Sequence, residues 1–207
     1  MSGGAELTRV CPKARVATGE TGMTQHICPW WLGYLLASPV RRLWQNPKKI
    51  LRPYVSSGMT VLEPGCGMGF FTLDLARLVG DEGKVVAVDI QPRMLEGLKR
   101  RAKRAHLGDR IETRLADAGR LPAQDLADQV DFALAFWVVH ELPDIGRFFA
   151  ELRQVLKTGG KALLTEPKGH VSSSSFAEEI EFASRAGLRV GHRSETISNV
   201  SAVLELA

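Results

Sequence analysis

From residue 59 onward the chain alternates between short apolar runs and stretches whose apolar residues recur at helical spacing. Residues 59–63 read as a strand, and Phe71, Leu75, Leu78 and Val79 then mark one face of a helix. Residues 80–83 (Gly-Asp-Glu-Gly) form a turn, and residues 84–89 (KVVAVD) a second strand. Pro92 opens a helix with Met94, Leu95 and Leu98 on one side. Residues 111–115 give a third strand. Residues 130–139 give a fourth, nearly continuous in apolar side chains, as a strand buried on both faces should be. Phe148, Phe149, Leu152, Val155 and Leu156 predict another helix, stopped by Gly159 and Gly160, before a fifth strand at 161–166. A helix at 175–186 and short strands near 188–192 and 200–206 complete the pattern. No internal repeat is visible. Strands alternating with helices predict an α/β fold, a parallel sheet covered on both faces. Ligands in such folds bind outside the carboxyl ends of the strands, so the residues following each strand carry the candidate chemistry.

Upstream the pattern is weaker. Residues 1–25 carry several glycines and little apolar periodicity, and read as a flexible leader. Residues 26–57 read as a helical lid segment, with Pro39 and Pro47 as helix starts or breaks. It is rich in rings (Trp30, Trp31, Tyr34, Trp44), which a partner, a ligand or the core must cover. Arg41, Arg42, Lys48, Lys49 and Arg52 sit among and after them, a pattern compatible with peripheral membrane contact. The 207 residues amount to one domain, here 58–207, preceded by these segments. Three cysteines make no disulfide framework and fit a reduced, cytoplasmic chain. The longest apolar run has eight residues, far short of the roughly 18 a membrane helix needs. A net charge of +4, with acidic residues spread throughout, does not by itself indicate a nucleic-acid partner. The basic cluster Lys99, Arg100, Arg101, Lys103 and Arg104 reads as a solvated helix face.

The first strand runs into Glu63-Pro64-Gly65-Cys66-Gly67-Met68-Gly69-Phe70-Phe71. The glycines allow a tight turn and close backbone approach to a ligand at a helix start. The order is Gly-x-Gly-x-Gly, and Phe70 stands where the dinucleotide-binding form has its third glycine. Glu63 would repel a pyrophosphate but suits a cationic or amine-bearing ligand. Asp89, ending the second strand, can accept from ribose hydroxyls or cap the helix after Pro92. Asp117, after the third strand, can accept from an adenine amino group.

Together these stretches resemble the first three motifs of class I S-adenosylmethionine (SAM)-dependent methyltransferases. Residues 131–142 (DFALAFWVVHEL) and the Leu152 to Leu164 helix, turn and strand are similar to the motifs that follow. The small methyltransferases of ubiquinone/menaquinone biosynthesis and of arsenite are the nearest in flavour. The resemblance implies a Rossmann-like sheet of seven strands, mostly parallel, with helices on both faces and the last strand antiparallel. It implies SAM as cofactor, released as S-adenosylhomocysteine, and a small-molecule methyl acceptor. Gly65, Gly67 and Gly69 would approach the methionyl part, with Glu63 near its ammonium. Asp89 would hold the ribose hydroxyls, and Ile90 and Met94 would lie near adenine and ribose. Asp117 would take the adenine amino group, Ala118 would contribute backbone, and Phe136 would pass beside the cofactor.

His140 is the candidate general base if the acceptor arrives protonated, with Glu166 the second polar candidate. The polar loop 168–175 is placed to help close the site. Cys66 lies in the glycine loop, where a small residue fits for packing alone; no cysteine pair or further ligand at suitable spacing supports a metal or metalloid site. Two other functions share the core: a SAM- or adenosylhomocysteine-binding module without catalysis, and an RNA methyltransferase. An Asn/Asp-Pro-Pro-Tyr type motif is absent after the fourth strand, which argues against methylation of nucleic-acid bases. The oligomeric state is not legible.

Overall fold

The computed structural model describes residues 14–16, 25–27, 37–38, 41–42, 45–117 and 120–206. Two short strands, β1 (Ala14–Val16) and β2 (Gln25–Ile27), pair antiparallel within the stretch whose sequence shows little pattern. Helix α1 (Pro47–Leu51) starts at the expected proline, and the Asn46 side chain caps it by accepting from Lys49 N. Then follow β3 (Thr60–Pro64), α2 (Thr72–Val79), β4 (Lys84–Asp89), α3 (Pro92–Arg104), β5 (Ile111–Leu115) and β6 (Val130–Phe136). The chain ends with α4 (Ile145–Val155), β7 (Leu156–Pro167), α5 (Ser173–Arg185), β8 (Leu188–Glu195) and β9 (Asn199–Leu206).

Seven strands form one sheet in the order β5-β4-β3-β6-β7-β9-β8. The pairs from β5 through β7 are parallel, and the last strand in sequence, β9, runs antiparallel between β7 and β8. Alternation along each strand sorts side chains into two cores. On one face Leu62, Val86, Val88, Ala133, Ala135 and Leu164 pack with Phe149 and Leu152 of α4 and Ile180 of α5. On the other, Val61, Val85, Ala87, Phe132 and Leu134 pack with Leu51 of α1, Leu75 of α2 and Leu98 of α3. Each fully buried Leu or Phe contributes roughly 1.5–3 kcal/mol of transfer free energy, which is what holds helices to both faces.

Two local expectations are corrected. The helix before β7 ends at Val155, four residues ahead of Gly159, because Leu156 already turns extended and pairs with Val130. The glycines serve instead in the irregularity that shifts the β6–β7 register between Val130 and Phe132. The fourth strand of the pattern, β6, ends at Phe136 rather than at residue 139. Trp137 takes a left-handed backbone (φ 60°), and Val139–Glu141 forms a single 3-10 turn, so His140 lies on that turn and not on the strand.

The chain leaves β3 toward β4 and β5 on one side, then crosses back to β6 on the other. Strand order therefore reverses between β3 and β6, and the carboxyl ends of these two strands flank the crevice where such sheets bind ligands. β2 lies against the 139–141 turn, placing part of the N-terminal segment over this edge.

Candidate active site

The loop after β3 is shaped by three glycines with positive φ: Gly65 (70°), Gly67 (53°) and Gly69 (83°). At Gly65 a Cβ would stand 2.6 Å from Val138 Cγ2, so only hydrogen lets the loop pack against the segment after β6. Gly67 differs: nothing lies within 4 Å of its would-be Cβ, so its face is open for a ligand to approach the backbone.

Asp89 holds this loop from the neighbouring strand. Its Oδ2 accepts from Gly67 N (2.9 Å) and its Oδ1 from Gln91 N (2.8 Å). The carboxylate thus braces the glycine turn and the segment leading into α3 at once, but it does not cap that helix, whose N-cap is Gln91 and which has no side-chain cap hydrogen bond. Burial raises its pKa, and the backbone donors of Gln91, Gly67 and Ile90 oppose that rise. Ala116 N donates to Asp89 O (2.9 Å), bringing the start of the β5 exit loop, and with it exposed Asp117, to the same edge. Ile90 (38% exposed) and Leu115 (54% exposed) present apolar surface there, an uncommon exposure that suits the faces of a planar group. Met94, by contrast, is buried on the first turn of α3. Ala118 lies outside the described residues.

Glu63 is buried, and its Oε2 accepts from Thr72 Oγ1 (2.5 Å). Burial pushes its pKa up to about 8, with Asp89 adding to the rise and the Thr72 hydroxyl resisting it. At neutral pH this carboxyl is mostly protonated, a state that an arriving ammonium would reverse. Cys66 is also buried, and burial, Asp89 and Glu63 all push its thiol pKa up, which disfavours the thiolate that metalloid chemistry requires. Cys11 and Cys28 lie outside the described residues. Among the described residues no group of three His, Cys, Asp or Glu side chains is arranged to hold a metal ion.

The other half of the site follows β6. Trp137 N donates to Thr165 O (2.8 Å) and its indole N–H to Asn199 Oδ1 (2.9 Å), which together fix the left-handed residue. Phe136 packs on Phe71 (ring centroids 4.4 Å apart) and on Trp137 (5.4 Å), so the end of β6 and the end of the glycine loop share one aromatic wall. His140 Nδ1 lies 2.5 Å from Glu166 Oε2, and Glu166 Oε1 accepts from Val139 N (2.9 Å). The two polar candidates of the sequence are therefore one unit, with Glu166 fully buried and His140 partly exposed. Burial alone would lower the His140 pKa. The hydrogen bond and charge of Glu166, with Glu141 and Glu179, outweigh it and leave the pKa raised. His170, from the loop after β7, stands edge-on to the His140 ring at 5.9 Å.

Several contacts had no sequence signal strong enough to single them out. Thr72 is one, although a hydroxyl on the first turn after a glycine loop is a natural partner for a strand-end carboxyl. The arginines are the others. Arg101, within the cluster read as solvated, turns to Met68 O in the glycine loop and to Ala37 O (3.5 Å). Arg42 pairs with buried Asp74, and Arg41 sits among aromatic rings, so these two of the five upstream cations face the domain itself.

A glycine turn braced by a strand-end carboxylate, at the reversal of a parallel sheet, defines a Rossmann-like protein built to hold a nucleoside-bearing ligand. The comparisons with known proteins specify which kind. The pattern of a family described as "Methyltransferase domain" matches residues 55–201. The arsenite methyltransferase of Halobacterium salinarum is 28% identical over 164 residues, 78% of this chain and 39% of that protein. The demethylmenaquinone methyltransferase of Staphylococcus saprophyticus is 30% identical over 136 residues, 65% of this chain and 55% of that protein. The chain thus spans about half the length, or less, of these relatives. A SAM-dependent methyltransferase from Aquifex aeolicus shares the fold with a TM-score of 0.78 at 24% identity, covering 87% of this chain and 100% of that one. The chain belongs to the class I SAM-dependent methyltransferase family. No helix among the described residues is long and apolar enough to cross a membrane.

Proposed function

We propose that this chain transfers the methyl group of SAM to a small-molecule acceptor. The observation that carries this is Asp89, which braces the open Gly67 backbone from the adjacent strand at the point where strand order reverses. In this reading Gly65, Gly67 and Gly69 receive the methionyl part, with the Glu63 carboxyl near its ammonium. Asp89 takes the ribose hydroxyls, Ile90 and Leu115 flank the adenine, and Asp117 takes its amino group. Phe136 walls the reacting end, and Met94 supports the ribose side from beneath. Bound SAM supplies a methyl group on a sulfonium, already a good leaving group, so the protein's task is to align the acceptor and exclude water. The relatives named for arsenite and for demethylmenaquinone methylation act on small molecules, which supports the same class here.

Where the acceptor arrives protonated, His140 takes the proton. Glu166 occupies Nδ1 and leaves the other ring nitrogen for that task, the arrangement a positioned base requires. His140→Ala should keep SAM affinity within about twofold of the parent, yet slow transfer by roughly 100-fold. It should also erase the limb of the pH–rate profile that rises through a pKa above the usual 6.5. Methyl-labelled SAM offered with phenols, quinols, thiols and arsenite, over a pH series, checks both statements. SAM that binds but never labels an acceptor would favour a non-catalytic binding module. An unchanged profile in His140→Ala would remove the base.

A further inference from the structure

Among the described residues one buried side-chain oxygen or nitrogen lacks a hydrogen-bond partner, Oε2 of Glu179 on α5. The residue is 3% exposed. A carboxyl buried without a partner destabilises the fold, so its presence here calls for a use. Strand and helix periodicity place it. Ala162, Leu164 and Glu166 alternate onto one face of β7, and that face packs with Phe176, Ile180 and Ala183 of α5 and with Val139. Glu179 belongs to the same buried side of α5. It therefore approaches the His140–Glu166 unit from the helix layer, and the charges that reach it are those of Glu166 and His140.

No structural pairing accounts for Glu179. Buried Asp74 has its cations in Arg42 and Arg77, whereas among the described residues no lysine or arginine pairs with Glu141, Glu166 or Glu179. Glu178 and Glu181, beside it on α5, face solvent. On the other elements packed against α5, Arg147 of α4 pairs with Glu151, and Arg189 of β8 with Glu205. Around His140 stand Glu166 from β7, Glu141 on its own turn, Glu179 from α5, and the His170 ring from the loop after β7. Glu166 faces three nitrogens: Val139 N (2.9 Å), His140 N (3.4 Å) and His140 Nδ1 (2.5 Å). Glu179 Oε2 faces none. Burial and the charge of Glu166 push its pKa up to about 8 against the opposing pull of His140, so it holds a proton at neutral pH.

We propose that Glu179 is a positioning residue for the His140 base, acting across the interface of β7 and α5 to strengthen the imidazole's hold on a proton. This rests on the methyl-transfer reading with His140 as base, and extends it to the group that sets the strength of that base. When the acceptor gives its proton to the ring nitrogen opposite Glu166, the ring becomes an imidazolium with two carboxyls on its inner side. A positive ring favours ionised Glu179, and by reciprocity ionised Glu179 favours the positive ring. Glu179 gives its own proton to solvent in that state, and takes one back when the ring is deprotonated for the next turnover.

The test is an NMR titration of the ring nitrogens of His140 in the whole chain, from pH 5 to pH 9, with the signal assigned by its loss in His140→Ala. Glu179→Gln keeps the shape but cannot ionise. It should lower the His140 midpoint by about half a pH unit, a threefold loss of proton affinity. Glu179→Met should do the same, and should melt higher than the parent at pH 8 because the unpartnered carboxyl is gone. Glu179→Asp keeps an ionisable group and should retain part of the effect, while Glu178→Gln, one residue away but exposed, should leave the midpoint in place. A His140 midpoint unmoved in both Glu179→Gln and Glu179→Met, or moved equally by Glu178→Gln, would overturn the proposal. A lower melting temperature in Glu179→Met with an unmoved midpoint would make Glu179 a packing residue and overturn it equally. The titration uses neither SAM nor an acceptor, so its failure is distinct from failure of the methyl-transfer reading, which shows as absence of SAM binding or of labelled product.

Discussion

Asp89→Ala should lower SAM affinity by at least about 100-fold, the largest loss expected from any single side chain in the pocket. Two contributions add. The first is the pair of ribose hydroxyls, each a hydrogen bond to a charged acceptor worth about 1.5–3 kcal/mol. The second is the loop itself, because Gly67 N loses its acceptor and the open backbone above it is no longer held. The same bracing means the variant also melts at a lower temperature, since the Gln91 and Gly67 amides are left without their partner. Asp89→Asn separates the two contributions. It keeps one carbonyl acceptor and the shape but not the charge, so its affinity should fall between those of the parent and the alanine variant. Calorimetry and thermal melts on the three proteins check this. Unchanged affinity in Asp89→Ala would end the ribose assignment.

Binding of SAM at pH 7 should release close to one proton, and Glu63 is its source. The carboxyl, with a pKa of about 8, is mostly protonated before binding. An ammonium placed beside it favours the ionised form and expels the proton. Affinity should therefore rise with pH from about 6 to about 8 and then level. Glu63→Gln should bind SAM roughly 30-fold more weakly, about the value of one charge-assisted contact, and show no proton release. Heats measured in two buffers of different ionisation enthalpy check this, and identical heats in the parent would contradict it. The same groups set the stability of the protein without ligand. Glu63 and Glu179 (each about 8), Glu141 (about 7) and Asp89 all have raised folded-state pKa values, so the folded chain holds more protons than the unfolded one above about pH 4.5. Stability is then full at or below that pH and is lost as pH rises through these values. The raised pKa of His140 acts in the same direction. The melting temperature should fall from pH 5 to pH 8.

The parallel sheet was legible because its central strands β3, β4 and β6 are largely apolar on both faces and bounded by glycine, proline or acidic turns. Lys84–Asp89 and Ile111–Leu115 stand where the pattern puts them. What failed to show was the backbone change at Trp137. A tryptophan in the left-handed region carries no local mark, so the apolar run was followed to residue 139 although the strand stops at Phe136. The helix end at Val155 was hidden for a related reason. Gly159 and Gly160 look like a helix stop, but the tertiary pairing of Leu156 with Val130 decides the matter earlier. At the site, residues adjacent in sequence to a strand end (Glu63, Gly65, Gly67, Asp89) could be singled out. Partners distant in sequence, such as Thr72 for Glu63, Glu166 for His140 and the rings around Arg41, become partners only through packing.

The most direct test of the central claim is a calorimetric and thermal-shift titration of the whole chain with SAM, adenosylhomocysteine and NAD. A ligand that binds only the folded state raises apparent stability by mass action, by about 2.7 kcal/mol at 100 times its dissociation constant. Saturable binding and stabilisation by SAM and adenosylhomocysteine, with none by NAD, is the predicted result. Stabilisation by NAD, or no response to SAM at any pH from 6 to 8, would contradict the reading of the glycine loop, Glu63 and Asp89 as a SAM site.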